Sequence, residues 1–185
     1  MTKISGKEML EVIISRQSER GYYEKEVEGD KIERILEAGR MAPSACNSQP
    51  WKFIVVNEPE LRKKVATAAS ARELGFNNFI DQAPVLIVII REKPKLISQA
   101  GGALKNKDYS LIDIGIAAEN ICLQALTEGL GTCIIGWFNE KKVKDLLDVP
   151  QARRAELIIT LGYSSKPQRK KDRKKREEVI SFNGY

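Results

Sequence analysis

Residues 42–53 read Ala42-Pro43-Ser44-Ala45-Cys46-Asn47-Ser48-Gln49-Pro50-Trp51-Lys52-Phe53. Two prolines, four small residues, two amides, a thiol and an indole fall there between a helical pattern and a strand pattern. Such a loop leaves backbone N–H groups and amide side chains open, which suits contact with the polar edge of a flat ligand. Asn47 and Gln49 each carry two donors and an acceptor, enough to serve such an edge. The same side chains are equally suited to bonding within the proline-containing turn itself. Trp51 opens the run Trp51–Val56, a strand entered directly from the loop, and is expected in the core.

Outward from this loop the chain alternates helix and strand without regular βαβ units. Ser5-Gly6-Lys7-Glu8 is a capping-box pattern that opens a helix through Met9, Leu10, Val12 and Ile13. Arg16 to Gly21 is the loop at its end, and Tyr22 to Val27 forms a short extended piece. Asp30-Lys31-Ile32-Glu33 matches a second capping box, with Ile32, Ile35, Leu36 and Gly39 at helical spacing up to Pro43. Downstream, Asn57-Glu58-Pro59-Glu60 starts a helix with proline in its first turn. Ala66 to Gln82 is helical with a break around Gly75. Val85 to Ile90 has no polar alternation and predicts a strand buried on both faces.

Glu92 to Lys107, with Pro94, Gly101 and Gly102, reads as a mobile surface loop or lid. Asp108 to Glu128 is the longest helical pattern. Ile112, Ile116, Ala117, Ile121, Leu123, Ala125 and Leu126 cover most of its circumference, which places it centrally or at a subunit interface. Gly129-Leu130-Gly131 ends it. A strand over Thr132–Trp137, a helix over Glu140–Leu147 and a strand over Glu156–Tyr163 complete the pattern. The expected class is α+β, with helices packed on a mixed sheet.

At 185 residues, 42% apolar and 30% charged, the chain suits one globular domain with a sizeable core. No apolar run approaches a bilayer span, and the first residues lack the apolar stretch of a signal peptide, so a cytoplasmic location is expected. There is no histidine. That excludes Ser-His-Asp and Cys-His nucleophiles and His-ligated zinc, so chemistry must come from a cofactor or from less usual residues. Cys46, Cys122 and Cys133 have no metal-ligand spacing, and no metal site is expected. Cys122 and Cys133 lie in apolar contexts and read as core, while Cys46, without a histidine or a second cysteine near it, reads as incidental. Lys166 to Glu178 holds eight Lys/Arg against three Asp/Glu, so all but one of the six net positive charges sits in this tail. A solvated segment, a nucleic-acid patch and a clamp for a single phosphate are the three readings of that cluster.

Arg16-x-Ser18-x-Arg20 places two guanidinium groups and a hydroxyl on alternate residues of a short segment, where they can converge on one anion. Arginines after a helix C-terminus also complement its dipole, which explains the pattern without any ligand. Cys133 to Phe138 follows Gly129-Leu130-Gly131. Its Gly136 permits close backbone approach, and a buried strand alone explains the segment equally well.

The Pro-Ser-x-x-Asn-x-Gln-Pro-Trp stretch with Arg16-x-Ser18-x-Arg20 upstream closely resembles the FMN-dependent nitroreductase family. The likeness runs in family order through the central helix, the Gly-Leu-Gly strand entry and the basic tail. It implies a nitroreductase-like α+β fold with a central mixed, mainly antiparallel sheet packed by helices, built as an intertwined homodimer. Residues 1–165 would form the FMN-binding domain, and 166–185 a basic C-terminal extension completing the FMN site and the dimer. Carried over by resemblance, Arg16 and Ser18 hold the FMN phosphate and Arg20 reaches the ribityl chain and the ring edge. Gln17, in place of the basic residue frequently found between them, is carried over with them as a cofactor-binding residue. Pro43, Ser44, Ala45 and Asn47 would cover the flavin from the partner subunit, Ile135 and Gly136 would present backbone to its N5 region, and Lys171 and Arg173 would complete the phosphate site.

No side chain is implied as a catalytic acid or base. The implied activity is ping-pong reduction of a nitroaromatic, quinone or related small-molecule acceptor by NADH or NADPH through FMN. An FMN-binding sensor or carrier is the alternative. Neither nucleic acid nor membrane is an expected partner.

Overall fold

The computed structural model describes residues 4–70 and 76–185. In chain order the regular elements are α1 (Gly6–Ser15), α2 (Gly29–Arg40), β1 (Trp51–Val56), α3 (Pro59–Ala69), β2 (Val85–Arg91), α4 (Leu96–Lys105), α5 (Tyr109–Thr127), β3 (Gly131–Ile135), α6 (Glu140–Leu146) and β4 (Arg154–Gly162). The strands form one sheet in the order β1-β2-β4-β3, and every neighbouring pair is antiparallel. Among the described residues its parallel component is a single bridge, Ser18 to Thr132, where the segment after α1 lies along β3.

β2 shows why the fold has three layers. Successive strand residues point to opposite faces, and all of Val85–Ile90 is buried. Leu86, Val88 and Ile90 join Val65, Ala69 and Val143 of α3 and α6 in one core. Val85, Ile87 and Ile89 join Ile35 of α2 and Ile114, Ala117, Ile121 and Ala125 of α5 in the other. The strand is apolar at every position because both its faces are covered. Trp51 lies in the second core, stacked with Phe53 at 6.4 Å between ring centroids.

The expected capping box of α1 is present, with Ser5 and Glu8 bonding each other's backbone N–H. The one expected at Asp30 is not. Helix α2 starts two residues earlier, at Gly29, because the carbonyl of Glu28 already accepts from the N–H groups of Lys31 and Ile32. Asp30 is left in the first turn, paired with Arg34 at 2.8 Å. Helix α3 ends at Ala69, and the break expected around Gly75 falls outside the described residues. The extended piece expected over Tyr22–Val27 reduces to one bridge, Tyr22 to Ser164.

The lid expected over Glu92–Lys107 is a helix along most of its length. Two glycines and a proline suggest a loop, but Gly102 is buried where a Cβ would come within 2.6 Å of the Lys107 carbonyl. Its own carbonyl takes the Lys107 N–H at 2.9 Å, and Asn106, at φ 50°, reverses the chain. Gly102 therefore closes α4 rather than breaking it. Helix α5 covers the expected span with Asp108 as its N-cap, whose side chain accepts the Ser110 N–H. Strand β3 ends at Ile135, so Gly136 and Trp137 lie beyond it. No described helix is long and apolar enough to cross a membrane.

Candidate functional site

Residues 16–22 cross the edge of the sheet as a strap. Arg16 caps α1, its N–H bonding the Val12 carbonyl. The Glu19 N–H bonds the Thr132 carbonyl at 2.8 Å, and past Tyr22 the strap joins the chain leaving β4. The C-terminal tail then folds back over the strap. Gln168 Nε2 bonds the Ser15 carbonyl at 3.3 Å, while Arg169 Nη2 and Lys171 Nζ make close contacts to the Ser18 and Arg16 carbonyls. Arg16, Gln17, Ser18 and Arg20 thereby line one cavity of about 280 Å³ with Arg169, Lys170, Lys171, Asp172 and Arg173.

This cavity concentrates positive charge. The Lys171 ammonium is held below the usual lysine range, first by burial and then by the Arg16, Arg173 and Arg169 cations around it. Arg16 Nε approaches Glu119 Oε1 at 3.4 Å, near enough for an ion pair, yet the N–H is not aligned on it. Nε is buried and has no hydrogen-bond acceptor among the described residues. Cations that repel one another around a shared cavity are an arrangement an anion would stabilise.

The Pro43–Pro50 loop is a separate construction. Cys46, Asn47 and Gln49 all adopt left-handed backbone, at φ 54°, 51° and 48°. Non-glycine residues rarely do so, and here surrounding bonds hold them. The Gln49 N–H bonds Ser44 Oγ at 2.9 Å, Gln49 Nε2 bonds Asn47 Oδ1 at 2.9 Å, and the Lys95 N–H bonds Ser48 Oγ at 2.7 Å. Beneath the loop, the buried Asp113 of α5 accepts the Ala45 N–H on both oxygens, at 3.1 and 3.2 Å. Cys46 is exposed, whereas Cys122 and Cys133 are buried. Burial pushes the Cys122 thiol up to about 11, as an inert core residue requires.

Ile135 closes β3 and is buried, while Gly136 is exposed; a Cβ there would meet only Leu157 Cδ2, at 3.8 Å. Gly136 is thus not a packing requirement of this chain, and its outer side is open. Trp137 follows with 59% of its surface exposed, edge-to-face with Phe76 at 5.8 Å.

The sequence-predicted residues thus fall into groups. Arg16, Gln17, Ser18, Arg20, Lys171 and Arg173 share the strap–tail cavity, which contains none of Pro43, Ser44, Ala45, Asn47, Ile135 or Gly136.

A nitroreductase family model matches residues 13–73 and 64–163, most of the chain. The chain belongs to the nitroreductase family. A nitroreductase family protein from Clostridium novyi NT is 32% identical, with a TM-score of 0.75 over 85% of each chain. The structure titled FMN-dependent nitroreductase from Clostridium difficile R20291 is 29% identical, with a TM-score of 0.77 over 95% of this chain and 99% of its own. The Bacillus subtilis protein named FMN reductase (NAD(P)H) is 26% identical over 96% of this chain and 74% of its own. Against this nitroreductase frame, three residues of the site were not legible in the sequence: Arg169, Glu19 and Asp113. Arg169 was one of eight tail cations, of which the resemblance singled out Lys171 and Arg173 instead, and Asp113 stands 68 residues from the loop it supports.

Proposed function

We propose that this chain is an FMN-dependent oxidoreductase. It draws electrons from NADH or NADPH and passes them, in ping-pong order, to a nitroaromatic, quinone or related small-molecule acceptor. One observation carries the assignment: Arg16, Ser18 and Arg20 of the strap line one cavity with Arg169, Lys171 and Arg173 of the tail. Guanidinium groups match phosphate oxygens in a way that a lone lysine does not. The residues therefore fit the phosphate of FMN, and the open outer side of Gly136 fits the approach of a flat ring.

Bound there, FMN supplies the hydride and electron transfer. The protein's part is to bind and orient. Arg16 and Ser18 take the phosphate with Lys171 and Arg173 of the tail, and Arg20 takes the ribityl chain and the ring edge. Pro43, Ser44, Ala45 and Asn47 cover the ring from a second copy, while the Ile135–Gly136 backbone faces it. A homodimer is part of this reading, because the strap–tail cavity of one chain lacks the Pro-Ser loop residues. Residues 1–165 then form the FMN-binding domain, and 166–185 the extension completing both site and dimer.

Purified wild-type protein is expected to carry flavin, and anaerobic NADH or NADPH should bleach its visible band. A flavin band unmoved by either nucleotide would leave a carrier or sensor instead of an enzyme. Arg16→Ala should purify largely free of flavin; full occupancy in that variant would show the phosphate assignment to be wrong.

A further inference from the structure

Gln17 occupies both ends of its amide on two different parts of the chain. Nε2 donates to Glu19 Oε1 at 2.8 Å and to the Pro167 carbonyl at 3.3 Å. Oε1 accepts the Arg169 backbone N–H at 2.9 Å and faces Arg169 Nε at 3.5 Å. Glu19 in turn is only 9% exposed, and its second oxygen accepts Ser164 Oγ at 2.8 Å. It packs against Gly131, where a Cβ would fall 2.4 Å from Glu19 Cγ. Its backbone is fixed by the Thr132 carbonyl and by the Tyr22 hydroxyl, which donates to the Glu19 carbonyl at 3.1 Å. Rigid sheet, buried carboxylate, amide and tail thus form one chain of contacts.

A cation at position 17 would pair with Glu19 but has no acceptor to offer the Arg169 N–H. Glutamine gives up that charge and gains a grip on residues 167–169. The tail so seated brings the Arg169 guanidinium to the Ser18 carbonyl, and both residues line the same cavity. We infer that Gln17, oriented by the buried Glu19, is a positioning latch that seats the C-terminal tail, and that Arg169 thereby becomes a phosphate-binding cation of the cofactor site. This rests on the FMN reading above and replaces a direct contact role for Gln17.

The test measures binding of FMN and of riboflavin, which lacks the phosphate, to flavin-stripped full-length protein by fluorescence titration. Losing one hydrogen bond to a charged group corresponds to about a tenfold loss of affinity. Gln17→Ala and Arg169→Ala are each expected to weaken FMN about tenfold while leaving riboflavin affinity unchanged. The double variant should be little worse than either alone, because one residue acts through the other. Limited trypsin digestion reads the latch without flavin. Gln17→Ala should speed cleavage between Lys170 and Arg176 more than Arg169→Ala does, because the latter loses the guanidinium contacts but keeps its backbone N–H on Gln17.

An unchanged FMN-to-riboflavin ratio in Gln17→Ala, or unchanged tail cleavage, would overturn the latch. Additive losses in the double variant would do the same. Wild-type protein that binds neither flavin would overturn the functional reading itself, which the variants' digestion pattern keeps separate from the state of the tail.

Discussion

Asp113 is a largely buried carboxylate whose backbone partner is the Ala45 N–H. Burial raises its pKa, the Ala45 N–H opposes that, and the charge of Asp108 adds to it. A carboxyl whose folded pKa exceeds its unfolded value binds its proton more tightly when folded. Stability relative to Asp113→Asn should therefore rise as pH falls from the folded pKa toward 3.8, and level off below it. The gain is absent above the folded pKa, where Asp113 is ionised in both states. Asp113→Ala leaves the Ala45 N–H without its acceptor and should cost about 1–3 kcal/mol, with Asp113→Asn costing less because one oxygen remains. Urea denaturation across pH 3–7 checks both; equal stability of the Ala and Asn variants would show that the loop does not depend on this bond.

Helix α2 delivers the chain to the Pro-Ser loop, and its packing on α5 sets where the loop begins. The contact turns on Gly39, where a Cβ would lie 2.7 Å from Ile121 Cγ1 and 3.1 Å from Phe53 Cζ. Alanine is the better helix former by about 1 kcal/mol. Overpacking a core costs about 1–3 kcal/mol, and Ile121 is fully buried with no room to yield. The clash should win, so Gly39→Ala is expected to lower the chemical-denaturation midpoint; a raised midpoint would mean that the helices separate easily. Elements whose burial is uniform were legible in sequence, as the unbroken run of β2 and the long apolar pattern of α5 show. Helix α4 was not, because Gly101-Gly102 signals a loop locally and only the fold-back of Lys107 shows why Gly102 belongs in a helix. At the site, the spacing of Arg16, Ser18 and Arg20 allowed convergence on one anion and a helix-dipole role equally; that they share a cavity with the tail shows only in the fold. Arg169 beside the strap and Asp113 beneath the Pro-Ser loop were not legible, since both act through contacts that linear order does not display.

At the scale of the whole molecule, the two cores close on themselves and yet leave apolar surface outside. Helix α1 has no buried residue, and Met9, Leu10, Ile13 and Ile14 are 42–54% exposed. It packs against α5, whose Leu111, Ile112 and Ile116 are also exposed. A ten-residue helix is marginal by itself in water, so α1 needs an apolar face to cover it. Nothing else in the described chain does so, and a second copy related by two-fold symmetry would bury each of these residues twice. Full burial of a leucine or isoleucine stabilises by about 1.5–3 kcal/mol. Leu10→Glu with Ile13→Glu removes two such side chains per protomer and should cost a symmetric dimer several kcal/mol, a change of orders of magnitude in its dissociation constant. Size-exclusion chromatography with light scattering should then show monomer, while circular dichroism keeps a cooperative melt from the two intact cores. Flavin should leave with the dimer, because each cavity would lose its Pro-Ser loop. A variant that stays dimeric and yellow would place the interface elsewhere, and a monomer that keeps its flavin would show that one chain suffices to hold it.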